Sequence, residues 1–194
     1  MERLKKQIEF ILEVDKLKRI LRQSILTDGK ERENDAEHSW HISLMAILLL
    51  EHSNEEIDVL RVIKMLLIHD IVEIDAGDTY CYDKEGHNDK REREEKAAKR
   101  IFGMLPKDQC EEMISLWDEF EQMETAESKY AASLDRLQPL LLNYATKGKS
   151  WRDHGIESKQ IIERNAHIDC GSKELWEFAM NMIDECIEKG YLEK

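Results

Sequence analysis

The sequence predicts an all-α fold, and three observations carry that prediction. Of the 194 residues, 37% are charged and 41% apolar, while only two are proline and eight glycine. That composition suits long amphipathic helices and starves the turns that a β fold needs. Apolar residues recur at three- and four-residue intervals along most of the chain, and helix caps and stops fall where those runs begin and end. The length fits one domain, residues 1–194, with enough chain to bury a core unaided by disulfides.

Residues 1–25 read as one or two helices, with Ile8, Ile11, Leu12, Leu17, Ile20 and Leu21 as core contacts. The stretch from Ser24 to Asp35 carries an Asp-Gly turn signal and ends on Asp35 as an N-cap. Two apolar helices follow, about 36–52 with Met45, Leu48 and Leu49, and about 56–74 with Leu60, Ile63, Leu67, Ile71 and Ile74. Gly77 stops the second, and a loop then leads to a charged helix over about 89–103 whose Lys, Arg and Glu read as a solvated face. Pro106 opens a helix to about Met123, and Thr125 caps another to about Thr146. Gly148 and Gly155 bracket a loop containing Trp151. Two closing helices, about 156–167 and 172–189, end at Gly190. The four tryptophans, at 40, 117, 151 and 176, read as core.

The net charge of −13 argues against a surface for nucleic-acid polymers, whose phosphates are bound by clustered Lys and Arg. Any phosphate ligand should therefore be small, and a bound dication would offset the field it meets. Cys81, Cys110, Cys170 and Cys186 form no CxxC pair, which points to a reducing cytoplasm. The N-terminus has neither a signal-type apolar core nor a membrane-length run.

The chemistry concentrates in IHDIVEIDAGD, where His69 and Asp70 interrupt the most apolar helix. A buried carboxylate costs several kcal/mol unless it is paired or bound to a metal. Helical geometry lets neighbours His69 and Asp70 each offer a ligand atom to one ion, with Glu73 a turn further on as a general acid or base. Taken alone, His69 reads equally well as a hydrogen-bonded core histidine. The weight rises because Glu37-His38 opens the preceding helix, which can face His69. Asp135, between Leu134 and Leu137, repeats the anomaly of Asp70. Pro139, four residues on, takes away its carbonyl's N–H partner and favours a bend there. His41 reads as support or packing, and His52, His87, His154 and His167 as surface or structural residues.

The ordered set His38, His69-Asp70 and Asp135 resembles the H…HD…D signature of the HD-domain superfamily of metal-dependent phosphohydrolases. RENDAEHSWH, HDIVEIDAGD, REREEKAA and LDRLQPLLLN resemble the small bacterial HD proteins related to 5′-deoxynucleotidases. The resemblance implies a helical bundle, often a homodimer, that removes phosphate from a nucleoside monophosphate. It implies a single divalent ion on His38, His69, Asp70 and Asp135, acidic Glu73 and Asp78 beside the attacking water and substrate, and a helix-1 arginine, Arg22, on the phosphate. Mixed His/Asp ligation suits Mn, Co, Fe, Ni or Zn. In the deoxynucleotidases that arginine stands close to a tryptophan; here Gln23-Ser24-Ile25 follow. Rival readings are an HD-type phosphodiesterase, a (p)ppGpp-like hydrolase, in which Asp rather than Ile74 would follow the Glu, and a catalytically silent metal- or nucleotide-binding sensor.

Overall fold

The structure is a computed structural model, and it describes residues 1–79, 82 and 88–193. Its longer helices are α1 (Glu2–Val14), α2 (Asp35–Leu48), α3 (Val59–Ile68), α5 (Lys90–Phe102), α6 (Lys107–Gln122), α7 (Ala126–Ala145), α9 (Ser158–Asn165) and α11 (Lys173–Glu188). Short turns of helix, α4 (Glu73–Ala76), α8 (Lys149–His154) and α10 (Ile168–Gly171), lie between them, and the sheet is a two-stranded ribbon. The all-α expectation holds. No described helix is long and apolar enough to cross a membrane.

Helices α2, α3 and α7 pack on one another at the centre, with α6 and α10 against α7. Ile42, Val62, Met65, Leu66, Leu134 and Leu137 are almost wholly buried there. The caps explain the boundaries. Asn34 and Glu37 form a reciprocal capping box that starts α2, one residue before the expected cap, and Asp58 accepts from Leu60 N and Arg61 N to start α3. Thr125 and Ser128 cap α7, which continues through Pro139 with Asp135 buried on its inner face.

Several expectations need correcting. Leu21–Ile25 is not helical but forms β1, paired antiparallel with β2 (Arg32–Asn34); the Asp28-Gly29 turn closes a hairpin, with Gly29 at a φ of 74°. Helix α1 buries none of its residues, and Ile11 and Leu12 are 61% and 67% exposed. Its apolar stripe faces outward because contact with the core begins near Phe10, Val14 and Leu17. Leu48, Leu60, Leu67 and Trp40 are likewise exposed, Trp40 by 64%, whereas Trp117 and Trp151 are core. Trp151 sits in α8 rather than in a loop; the expected 156–167 helix is α9, and a further helical turn, α10, fills the gap before α11. Glu94, Ala97, Ala98 and Ile101 show that α5 also has a buried side behind its charged face. Cys81, His87 and most of the loop before α5 lie outside the described residues.

Candidate metal centre

The helix expected over 56–74 tightens at His69, and that change of winding builds the site. Helix α3 ends at Ile68, and His69–Val72 form a 3₁₀ turn leading into α4. Tighter winding turns His69, Asp70 and Glu73 away from the straight helical course. All three are buried, with the His69 ring tilted against the Phe120 ring of α6, centroids 4.8 Å apart.

Two histidines present the same nitrogen to one point. His69 Nδ1 donates to the Leu66 carbonyl at 2.9 Å, and His38 Nδ1 donates to Gln138 Oε1 at 3.1 Å. Each ring is thereby fixed with Nε2 turned inward, the orientation that neighbouring acceptors impose on metal-binding imidazoles. His38 Nε2 lies 3.0 Å from Asp135 Oδ1, and His69 Nε2 lies 3.8 Å from that oxygen and 3.1 Å from Asp70 Oδ1. Ligand atoms of His38, His69 and Asp135 fall within 4.8 Å of one another. Asp70 joins this trio to a second one that the sequence did not reveal, Asp35, Asp70 and Glu73, equally close and equally buried.

Arg22 stands among these carboxylates, on β1 rather than on the first helix. Its Nη1 reaches Asp70 Oδ2 at 2.7 Å and Asp35 Oδ1 at 3.6 Å, while Glu33 and Asp135 lie at 3.7 and 3.9 Å. Gln138, between Leu137 and Pro139, donates from Nε2 to Glu33 Oε1 at 2.5 Å and to His41 Nδ1 at 3.2 Å, so one amide holds His38, Glu33 and His41 together.

One guanidinium does not balance so many acids. Burial pushes the Glu33 carboxyl up to about 7, and burial together with Asp70 pushes Asp35 up to about 8. Glu73 rises well above the carboxylate range for the same reasons, and burial raises Asp78. Burial and the Arg22 charge hold the His38 imidazole down at about 4. His69 behaves oppositely: against the cost of burial, Asp70 and Asp135 carry it up to about 10. The point between His69, Asp70 and Asp135 therefore draws positive charge. His69 Nε2, both Asp35 oxygens and Glu73 Oε2 are buried without a hydrogen-bond partner among the described residues. Buried polar atoms of this kind call for an unseen partner, and the mixed nitrogen and carboxylate donors fit a divalent metal ion. A cavity of about 140 Å³ opens beside them, and its wall includes Arg22, Asp70, Glu73, Asp78 and Asp135.

All seven residues singled out in the sequence meet at or beside this cavity, except that His38 lies behind its wall at hydrogen-bonding distance from Asp135. The residues missed were Glu33, Asp35 and Gln138. Asp35 had a sufficient local explanation as a cap. Gln138 carried a readable signal, a polar residue one turn after Asp135 on an apolar helix.

A helical fold with two facing histidines and buried carboxylates defines a metal-centre class of α-helical proteins. Within that class the chain belongs to the HD domain family, whose model matches residues 14–176. It is 30% identical over 136 residues to the 5′-deoxynucleotidase HDDC2 of Bos taurus, and 30% over 135 residues to that of Homo sapiens. Each match takes in 69% of this chain but only 64% and 65% of those proteins, so the chain spans just under two-thirds of the curated relatives' length. A crystal structure of a predicted metal-dependent phosphohydrolase from Magnetospirillum magnetotacticum MS-1 is 52% identical, with a TM-score of 0.96, covering 100% of this chain and 97% of that one. A conserved hypothetical protein from Pyrococcus furiosus superposes with a TM-score of 0.62 at 25% identity, covering 89% and 99%.

Proposed function

We propose that this chain is a metal-dependent phosphohydrolase, one domain over residues 1–194, that releases phosphate from a (deoxy)nucleoside 5′-monophosphate. In this reading His38, His69, Asp70 and Asp135 hold one divalent transition metal ion, Mn, Co, Fe, Ni or Zn. The observation that carries it is the buried His69 Nε2, left without a hydrogen bond between Asp70 and Asp135 while Nδ1 is anchored. The 5′-deoxynucleotidase relatives and the metal-dependent phosphohydrolase neighbour support the substrate class and the chemistry.

When bound, a dication supplies Lewis acidity to water and to the phosphoryl oxygens. The chain's own groups do the rest. Glu73, whose carboxyl keeps its proton more tightly than usual, holds and passes a proton beside the reacting water. Asp78, half-buried on the cavity wall, orients water or substrate. Arg22 faces the phosphoryl group with donors that Asp70 does not occupy and aligns Asp70 in the process. A cytoplasmic location and a homodimer complete the reading. The second is supported by Trp40, Leu44, Ile47 and Leu48, an exposed apolar stripe at helical spacing on α2.

The test is phosphate release from a panel of nucleotides with Mn, Co, Mg or chelator, comparing wild type with Asp70→Ala. Metal-dependent release from monophosphates that the variant loses is expected. Release in chelator, or equal activity in the variant, would refute the proposal.

A further inference from the structure

A phosphate monoester is a dianion, and apart from the proposed metal ion the side chains on the carboxylate side of this cavity have little net positive charge to give it. Arg22 is shared among Asp70, Asp35, Glu33 and Asp135, all within 4 Å. Even with Glu33, Asp35 and Glu73 protonated, Arg22 and His69 only balance Asp70 and Asp135 and leave no net positive charge from side chains there.

Another part of the wall differs. There the cavity is lined by Arg136 of α7 and Arg164 of α9, with the amides of Asn143 and Asn165 and the buried ring of Trp151. Arg136 follows Asp135 directly, and its Nη1 sits 3.5 Å from Asp135 Oδ2, while the other oxygen of that carboxylate, Oδ1, faces His38 and His69. Its Nε is buried and has no hydrogen-bond partner among the described residues, and Asn143 Oδ1, seven residues along the same helix, is also unsatisfied. Burial, then the charges of Arg136 and Arg164, hold the His167 imidazole down at about 4. Both guanidiniums therefore act on one neutral ring, which adds no competing charge.

We propose that Arg136 and Arg164 form a phosphate-binding subsite on the α7–α9 side of the cavity, which takes the phosphoryl dianion of the substrate and then the released phosphate, supplementing Arg22. Guanidinium forks suit this task because their paired N–H groups match phosphate oxygens. Asn143 Oδ1 is placed to accept from a hydroxyl or amine of the remainder of the molecule. The inference rests on the phosphomonoester reading for its substrate, but phosphate binding can be measured without turnover.

Inorganic phosphate is titrated calorimetrically into Mn-loaded wild type, Arg136→Gln and Arg164→Gln, and KM, kcat and product inhibition are measured on a deoxynucleoside 5′-monophosphate. A charge-assisted hydrogen bond contributes about 1.5–3 kcal/mol, so each variant should weaken phosphate binding and raise KM by about 10- to 100-fold, with a smaller change in kcat. Affinity for the unphosphorylated deoxynucleoside should stay at the wild-type value. Melting curves establish that the variants are folded; if Arg136→Gln does not fold, Arg164→Gln decides alone. Unchanged phosphate affinity in the folded variants would overturn the subsite. A wild type that binds phosphate at these arginines yet hydrolyses no monoester would instead defeat the phosphohydrolase reading and leave the subsite standing.

Discussion

Replacing Arg22 by Met tests whether the carboxylate cage depends on one cation. The substitution keeps most of the aliphatic volume and removes the charge from a side chain only 14% exposed. Removing one partner of a buried ion pair costs about 3–5 kcal/mol, because the other charge stays behind without compensation. Here the cost should fall mainly on Asp70, 2.7 Å from Arg22 Nη1, since Glu33 and Asp35 already favour their protonated forms. In a chain of this size each kcal/mol shifts the melting temperature by about 2–4 °C, so Arg22→Met should melt about 6–20 °C lower in chelator. Arg22→Met with Asp70→Asn should recover most of that loss, because no buried charge is then stranded. Saturating Mn should also restore part of it, since a dication neutralises the same carboxylates. Thermal denaturation of the three variants measures this directly. A single variant melting within about 2 °C of wild type, or a double variant losing the sum of both singles, would refute the cage.

Gln138→Leu should weaken metal binding about 10- to 100-fold, the usual cost of losing the partner that orients a ligating histidine; Mn titration of the melting temperature measures it, and an unchanged affinity would show that His38 orients itself. Arg93 of α5 donates to the Ala76 carbonyl and, at 3.3 Å, to Thr79 Oγ1, bracketing Asp78. Arg93→Leu should therefore lower kcat about tenfold, about 1.4 kcal/mol of lost alignment, while a kcat equal to wild type would free Asp78 of that support. Metal-free protein should lose stability as the pH rises from about 4 to about 8. Glu33 and Asp35 have folded pKa values of about 7 and about 8, above their ordinary 4.5 and 3.8, so their contribution is full below the lower values and vanishes as pH rises through the higher ones. Melting in chelator across that range, with Asp35→Asn as the flattened control, checks the sign.

The parts of the fold legible in the sequence are those where a local signal and the packing agree. Thr125 and Gly190 mark the start of α7 and the end of the last helix because their caps are short-range chemistry. Leu21–Ile25 was misread because its apolar residues continue the helical spacing of α1, and only its pairing with Arg32–Asn34, a contact across a turn, makes it a strand. Trp40 was misread for the opposite reason. Periodicity identifies an apolar face of α2 but not which side the core covers, so Ile42 and Met45 are buried while Trp40, Leu44 and Ile47 remain outside.

The site was legible where residues contradicted their surroundings. Asp70 and Asp135 are carboxylates on apolar segments, and such an arrangement persists only with a partner. Glu33 and Asp35 showed no contradiction, since acidic residues before a helix are ordinary, yet they are among the most buried charged groups of the chain. Their burial follows from the hairpin: β1 brings Arg22 under β2, and that cation permits four acids to gather where the sequence displays a cap and a turn. The strand that periodicity missed and the carboxylates it missed thus have one cause. Arg22 enters the site only because residues 21–25 are extended; as the continuation of α1 they would carry it with the helix axis, and Asp70 would lose its nearest positive neighbour.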